Sequence, residues 1–186
     1  MTTLKTDANG APNLAIDDPV DSRPQGQRPE EDAPVQAIRS LLDKHRDEHQ
    51  IVLLQDFPDP DALSSAWAYK LIASTYDIEC DIYYAGTLSH QENIALVRLT
   101  NLPARRWTLA NHEGPDLSQY QGVVLIDTQG TTSQLFPHVK EAGIPLVLVV
   151  DHHAPQARLD AEYVDLRPHI RATATIMTQY LQRGLL

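Results

Sequence analysis

The stretch Ile51-Val52-Leu53-Leu54-Gln55-Asp56-Phe57-Pro58-Asp59-Pro60-Asp61-Ala62 decides the fold. Its first four residues are a continuous apolar run, the pattern of a strand buried on both faces. Two prolines then stop the strand, and Asp61-Ala62-Leu63-Ser64-Ser65-Ala66-Trp67 opens a helix. Asp59 and Asp61 therefore sit on a short loop at the carboxyl end of a strand, where open α/β sheets bind ligands. Two carboxylates this close stay ionised together only with a cation between them or water around both. Taken alone, the pair reads equally well as an acidic turn with an aspartate cap.

The same alternation continues outward. Ile38, Leu41, Leu42 and His45 lie at helical spacing among charges, which predicts an amphipathic helix over 35–48. After the strand at 51–55 and the helix at 61–75, Cys80–Ala85 reads as a second strand ended by Gly86. A helix over 90–100 follows with Ser89 as its cap, Ile94 and Val97 facing inward, and Leu96 a further candidate. A short strand at 106–109 precedes a polar loop over 110–120. Val123–Ile126 is a buried strand that delivers Asp127, and a helix near 131–141 leads to Pro145–Val150, which delivers Asp151, His152 and His153. A last strand at 163–166 and a helix at 171–183 close the pattern. Apolar strands alternating with amphipathic helices predict an α/β fold of three layers, a mostly parallel sheet with helices on both faces.

Residues 1–34 differ in kind. They hold prolines 12, 19, 24, 29 and 34, and three basic residues against seven acidic ones, with almost no hydrophobic periodicity. This composition predicts a disordered acidic tail before an ordered domain at 35–186. The whole chain of 186 residues carries a net charge of −10, which argues against binding nucleic acid through a broad basic surface. It does not argue against a metal-dependent enzyme, because bound cations invert the local field. One cysteine, Cys80, leaves no internal disulfide and no thiolate cluster, which fits a cytoplasmic setting. No apolar run reaches the ~18 residues of a membrane span, so no membrane partner is expected.

Three strands thus end in acidic or imidazole groups: Asp59 and Asp61, then Asp127, then Asp151, His152 and His153. In a parallel sheet these ends share one edge. Carboxylates mixed with imidazole, without thiolate, suit Mn²⁺, Mg²⁺, Fe²⁺ or Co²⁺ better than a structural zinc. Four or more such groups can hold two ions about 3.5–4 Å apart, the arrangement that serves in-line phosphoryl displacement. The first strand lacks a glycine-rich loop, which excludes a P-loop or dinucleotide-binding protein.

The ordered set Pro58-Asp59-Pro60-Asp61-Ala62, Asp127 and Asp151-His152-His153 resembles the DHH phosphoesterase superfamily over residues 50–186. That superfamily includes RecJ-type exonucleases, oligoribonuclease/pAp-phosphatases, cyclic-dinucleotide phosphodiesterases, exopolyphosphatases and family II pyrophosphatases. The resemblance implies two metal ions, Mn²⁺ or Mg²⁺, with Asp59 on one, Asp61 and His152 on the other, and Asp127 bridging. It makes Asp151 a support for the histidines and has His153 face the phosphate. It also brings His90, Asn93, Arg171 and Thr173 near the substrate, the run at 171–175 offering helix amides to an anion or simply capping its helix. The implied substrate is a small nucleotide or short oligonucleotide, and the longer protein could form a homodimer.

Two departures qualify that pattern. The family's first motif begins with a histidine where this chain has Gln55, a neutral and weaker donor that would bind its metal less tightly. Nothing after the last helix matches the family's further metal-binding aspartate or its substrate-binding domain, and Asp160 and Asp165 come early for that ligand. The expectation is therefore the amino-terminal part of a longer hydrolase. The alternative is a metal-poor, non-catalytic relative that acts as a nucleotide-binding or regulatory module.

Overall fold

The structure is a computed structural model that describes residues 29–88, 90–111, 114–156 and 158–186. Among them, six strands form one sheet: β1 His49–Leu53, β2 Glu79–Tyr84, β3 Ala104–Arg106, β4 Gly122–Ile126, β5 Leu146–Asp151 and β6 Tyr163–Leu166. Every adjacent pair is parallel, in the order β3-β2-β1-β4-β5-β6. Five α-helices accompany them: α1 Pro29–Lys44, α2 Pro60–Ser74, α3 Gln91–Thr100, α4 Leu135–Glu141 and α5 Thr173–Gln182.

The apolar runs bury both ways because side chains alternate across the sheet. Val52, Leu54, Val124, Ile126 and Val150 meet a core shared with α1, α2 and α5. Ile51, Leu53, Val123, Leu125 and Val149 meet a second core built from Leu135 and Val139 of α4 with Trp107 and Tyr120. The expected three layers are present, and the sheet is wholly parallel. No helix among the described residues is long and apolar enough to cross a membrane.

The topology itself selects the place for a site. From β1 the chain builds outward to β2 and β3, then returns to place β4 on the other flank of β1. The helices after β1 and β4 pack on opposite faces, which makes the carboxyl ends of these two strands the switch point where open α/β sheets bind ligands. Asp59 and Asp61 follow β1, and Asp127 follows β4.

Several boundaries differ from the sequence reading. Helix α1 starts at Pro29 inside the expected tail, and ends at Lys44 rather than near 48. Pro29 takes the first helical position, where a missing N–H costs nothing, and the helix continues through Pro34 at the loss of one backbone hydrogen bond. The helix ends because Asp47 takes a left-handed conformation, with φ of 62°. Residues 1–28 of the expected tail lie outside the described residues. Strand β3 covers 104–106 rather than 106–109, and the loop after it carries two 3₁₀ turns, Leu109–Asn111 and Leu117–Gln119. Helix α4 begins at Leu135 rather than 131, because Gly130, with φ of 85°, turns the chain first. Helix α5 begins at Thr173 rather than 171. His90 occupies the cap position of α3, and the expected cap Ser89 lies outside the described residues.

Candidate metal centre

The loop after β1 is held from three sides. Asp56 accepts from the backbone and side-chain nitrogens of Gln134, both at 2.8 Å, and its own N–H donates to Thr132 O at 3.0 Å. The amide of Gly86 donates to Asp56 O at 2.7 Å. Buried Asn93 donates through Nδ2 to Pro58 O at 3.1 Å. With the loop fixed, Asp59 caps α2 by accepting from Ala62 N at 2.9 Å, and Pro60 takes the position where its missing N–H costs nothing.

Asp61 does something that its sequence position does not show. Its carboxylate accepts from Thr173 N at 2.9 Å and Ala174 N at 2.7 Å, so it caps α5, a helix 112 residues away. The amides at 173 and 174, expected as donors to an anion, are taken by Asp61. The hydroxyl of Thr173 is fully buried and donates to Asp127 Oδ1 at 2.7 Å. Thr173 thus ties Asp61 to Asp127.

Asp127 leaves β4 with φ of 58°, a left-handed conformation that aspartate tolerates better than most residues. Its residue is only 2% exposed. Burial pushes its pKa from 3.8 up to about 7; the Thr173 hydrogen bond works against this, and the charges of Asp61, Asp59 and Asp151 add to it. His152 Nε2 faces both carboxylates, 3.5 Å from Asp127 Oδ1 and 3.6 Å from Asp61 Oδ2. His153 packs against His152 with ring centroids 4.2 Å apart.

Asp151 is fully buried and its carboxylate serves His153. Oδ1 lies 2.7 Å from His153 Nδ1 and accepts from His153 N at 3.2 Å. Gln129 Nε2 donates to Oδ2 at 2.8 Å and to Ala154 O at 3.1 Å, while Gln129 Oε1 accepts from Gln156 N. Burial pulls the His153 pKa down, but the hydrogen bond and charge of Asp151, with Asp127 and Asp59, outweigh it and raise it. The support expected of Asp151 goes to one histidine of the pair.

Asp127, His152 and His153 can each offer a ligand atom, all within 4.8 Å of one another. The separations of 3.5 and 3.6 Å are too long for hydrogen bonds, which need about 2.7–3.2 Å. They are close to the about 3.0–3.4 Å between two ligand atoms that share one ion at about 2.1 Å. A buried carboxylate whose charge is uncompensated, facing an imidazole nitrogen across that gap, fits a divalent cation. The remaining expected residues stand differently. Gln55 is half-buried at the end of β1, and Asp59 is exposed on the loop. His90 and Arg171 are exposed. Asp165 pairs with Arg167, which bonds it through Nε and Nη2, and accepts from Tyr180; it is a strut of β6 and α5.

The profile of the DHH family, N-terminal domain, matches residues 50–185. The chain belongs to the DHH phosphoesterase superfamily. An uncharacterized protein of Methanocaldococcus jannaschii is 37% identical over 132 residues, which cover 70% of this chain and 25% of that protein. An exopolyphosphatase-related protein from Bacteroides fragilis, known from a crystal structure, aligns with a TM-score of 0.54 and 13% identity over 82% of this chain and 44% of that one. That likeness concerns the fold alone. The DHH chain thus spans about a quarter of the archaeal relative and under half of the bacterial one.

In this DHH domain the triplet Asp151-His152-His153 divides its labour: a buried anchor, an inward imidazole and an outward one. Sequence reasoning missed Gln129 and Asp56. A polar Thr128-Gln129 pair directly after a buried strand was the available signal for Gln129, since polar residues there need partners.

Proposed function

We propose that the domain is a divalent-metal-dependent phosphoesterase that hydrolyses phosphodiester or phosphomonoester bonds of small nucleotides or short oligonucleotides. The observation that carries the reading is the gap between His152 Nε2 and the carboxylates of Asp127 and Asp61, too wide for hydrogen bonds and suited to an ion. Asp61, Asp127 and His152 would hold Mn²⁺ or Mg²⁺, with Asp59 and Gln55 at a second position. Bound there, such ions supply a water of lowered pKa and neutralise charge on phosphoryl oxygens.

The chain's own groups account for the rest. Asp151 keeps His153 Nδ1 occupied, so Nε2 is the ring atom available to substrate. Its raised pKa favours the protonated ring, which donates to a phosphoryl oxygen and offsets its charge. Gln129 keeps Asp151 from turning. The left-handed turn at Asp127 directs its carboxylate toward His152 rather than along the strand.

The test is hydrolysis of bis-p-nitrophenyl phosphate by the full-length protein. Mn²⁺ should stimulate it, and Asp127→Ala should abolish it while leaving the fold intact by circular dichroism. Binding of nucleotide without turnover in Mn²⁺ would instead support the non-catalytic alternative, which Gln55 favours.

A further inference from the structure

Four large apolar side chains are exposed among the described residues: Phe57, Leu71, Leu99 and Leu186. Leu71 and Leu99 sit in the last turns of α2 and α3, and Leu186 follows α5, all at the end of the sheet away from the metal centre. Phe57 alone stands at the carboxyl edge, two residues before Asp59, and is 62% exposed. Isolated exposed apolar residues are ordinary on a surface. This one differs in how its backbone is held and how its ring is seated.

Both neighbours of Phe57 are fixed. Asp56 is pinned by Gln134, Thr132 and Gly86, and Pro58 O by the buried Asn93 amide. The ring lies over Gly86, where an added Cβ would come within 2.8 Å of ring atoms Cδ1 and Cε1 and within 2.2 Å of Asp56 O. Only a glycine lets the ring settle there. The hydrogen-bonded loop holds the ring out toward water, two residues before Asp59. A flat apolar surface presented from a fixed backbone is what base stacking uses.

Resting on the phosphoesterase reading above, we infer that Phe57 is the stacking platform for a nucleobase of the substrate and selects nucleotides over base-free phosphate chains. Phe57 touches the base and not the scissile phosphate, so it sets specificity through KM.

The experiment uses the full chain with Mn²⁺ and a 5′-phosphorylated dinucleotide carrying 2-aminopurine at both positions, beside the same dinucleotide lacking both bases. For wild type and Phe57→Trp, binding should quench 2-aminopurine fluorescence. Phe57→Ala should lose the quench and raise KM for the aminopurine dinucleotide about 5- to 100-fold, with kcat and the abasic KM unchanged. Thermal melts confirm that each variant folds. Turnover with equal changes on both substrates, or a quench that survives Phe57→Ala, overturns the stacking role and leaves the phosphoesterase reading standing. No turnover of either substrate by wild type overturns that reading and the stacking role with it.

Discussion

Replacing Asp127 by asparagine should separate what the centre costs the fold from what it does for metal binding. The ionised carboxylate is buried, and its pKa stands at about 7 in the fold against 3.8 as the ordinary value. Between those limits the folded chain holds a proton that the unfolded chain has released. Stability from this group is therefore complete below about pH 4, falls as pH rises, and is lost above about 7. At about 1.4 kcal/mol for each pH unit, the gap sets a ceiling of about 4 kcal/mol on the cost of ionised Asp127 in the metal-free protein at pH 8. Asparagine keeps the acceptor for Thr173, tolerates the left-handed backbone and carries no charge. The metal-free Asp127→Asn variant should then be about 2–4 kcal/mol more stable than wild type at pH 8, a rise of roughly 5–15 °C in melting temperature. Near pH 4 the difference should close. Scanning calorimetry in EDTA across that pH range measures the effect, and repeating it in Mn²⁺ should reverse the order at pH 8, because only wild type gains from the ion. An Asp127→Asn variant as destabilised at pH 8 as at pH 4, or one that Mn²⁺ stabilises as much as wild type, would refute the reasoning.

Three other perturbations follow from the same geometry. Asp151→Asn removes the charge that raises His153, so the His153 pKa should fall and the alkaline limb of a pH–rate profile should move to lower pH; an unmoved limb would separate His153 from the chemistry. Asp61→Ala strips the cap from α5 and should cost about 1–2 kcal/mol in urea unfolding even without metal, with amide exchange faster at Thr173 and Ala174. Gln55→His restores the imidazole that the family's first motif carries and should tighten Mn²⁺ binding about tenfold, read by Mn²⁺ titration under electron paramagnetic resonance; no change would remove Gln55 from the site.

How much of this was legible in the sequence depends on the range of the interactions involved. The runs at 51–54, 123–126 and 145–150 could only be buried strands, and parallel topology then placed Asp61, Asp127 and His152 on one edge. The start of α1 was not legible, because prolines argue against a helix, yet Pro29 sits where no donor is needed and Pro34 is accommodated inside the helix. In α3 the buried residue is Asn93, whereas Leu96 and Val97 are partly buried; the helix turns a polar face inward to hold Pro58, a tertiary demand that hydrophobic periodicity cannot express. Asp61 reads locally as an acidic first-turn residue of α2, yet its partners are on α5. Gln129 was passed over because its role exists only once β5 brings Asp151 beside it.

The central claim, that Asp61, Asp127 and His152 face one another across the place of a divalent ion, is tested most directly by isothermal titration of Mn²⁺ into the metal-free full-length protein at pH 7.5. Saturable binding that releases protons, and that disappears in Asp127→Ala and in His152→Ala, is the expected result. A full-length, folded protein that takes up no Mn²⁺ or Mg²⁺ at that pH, or that binds them equally well without Asp127, would contradict it.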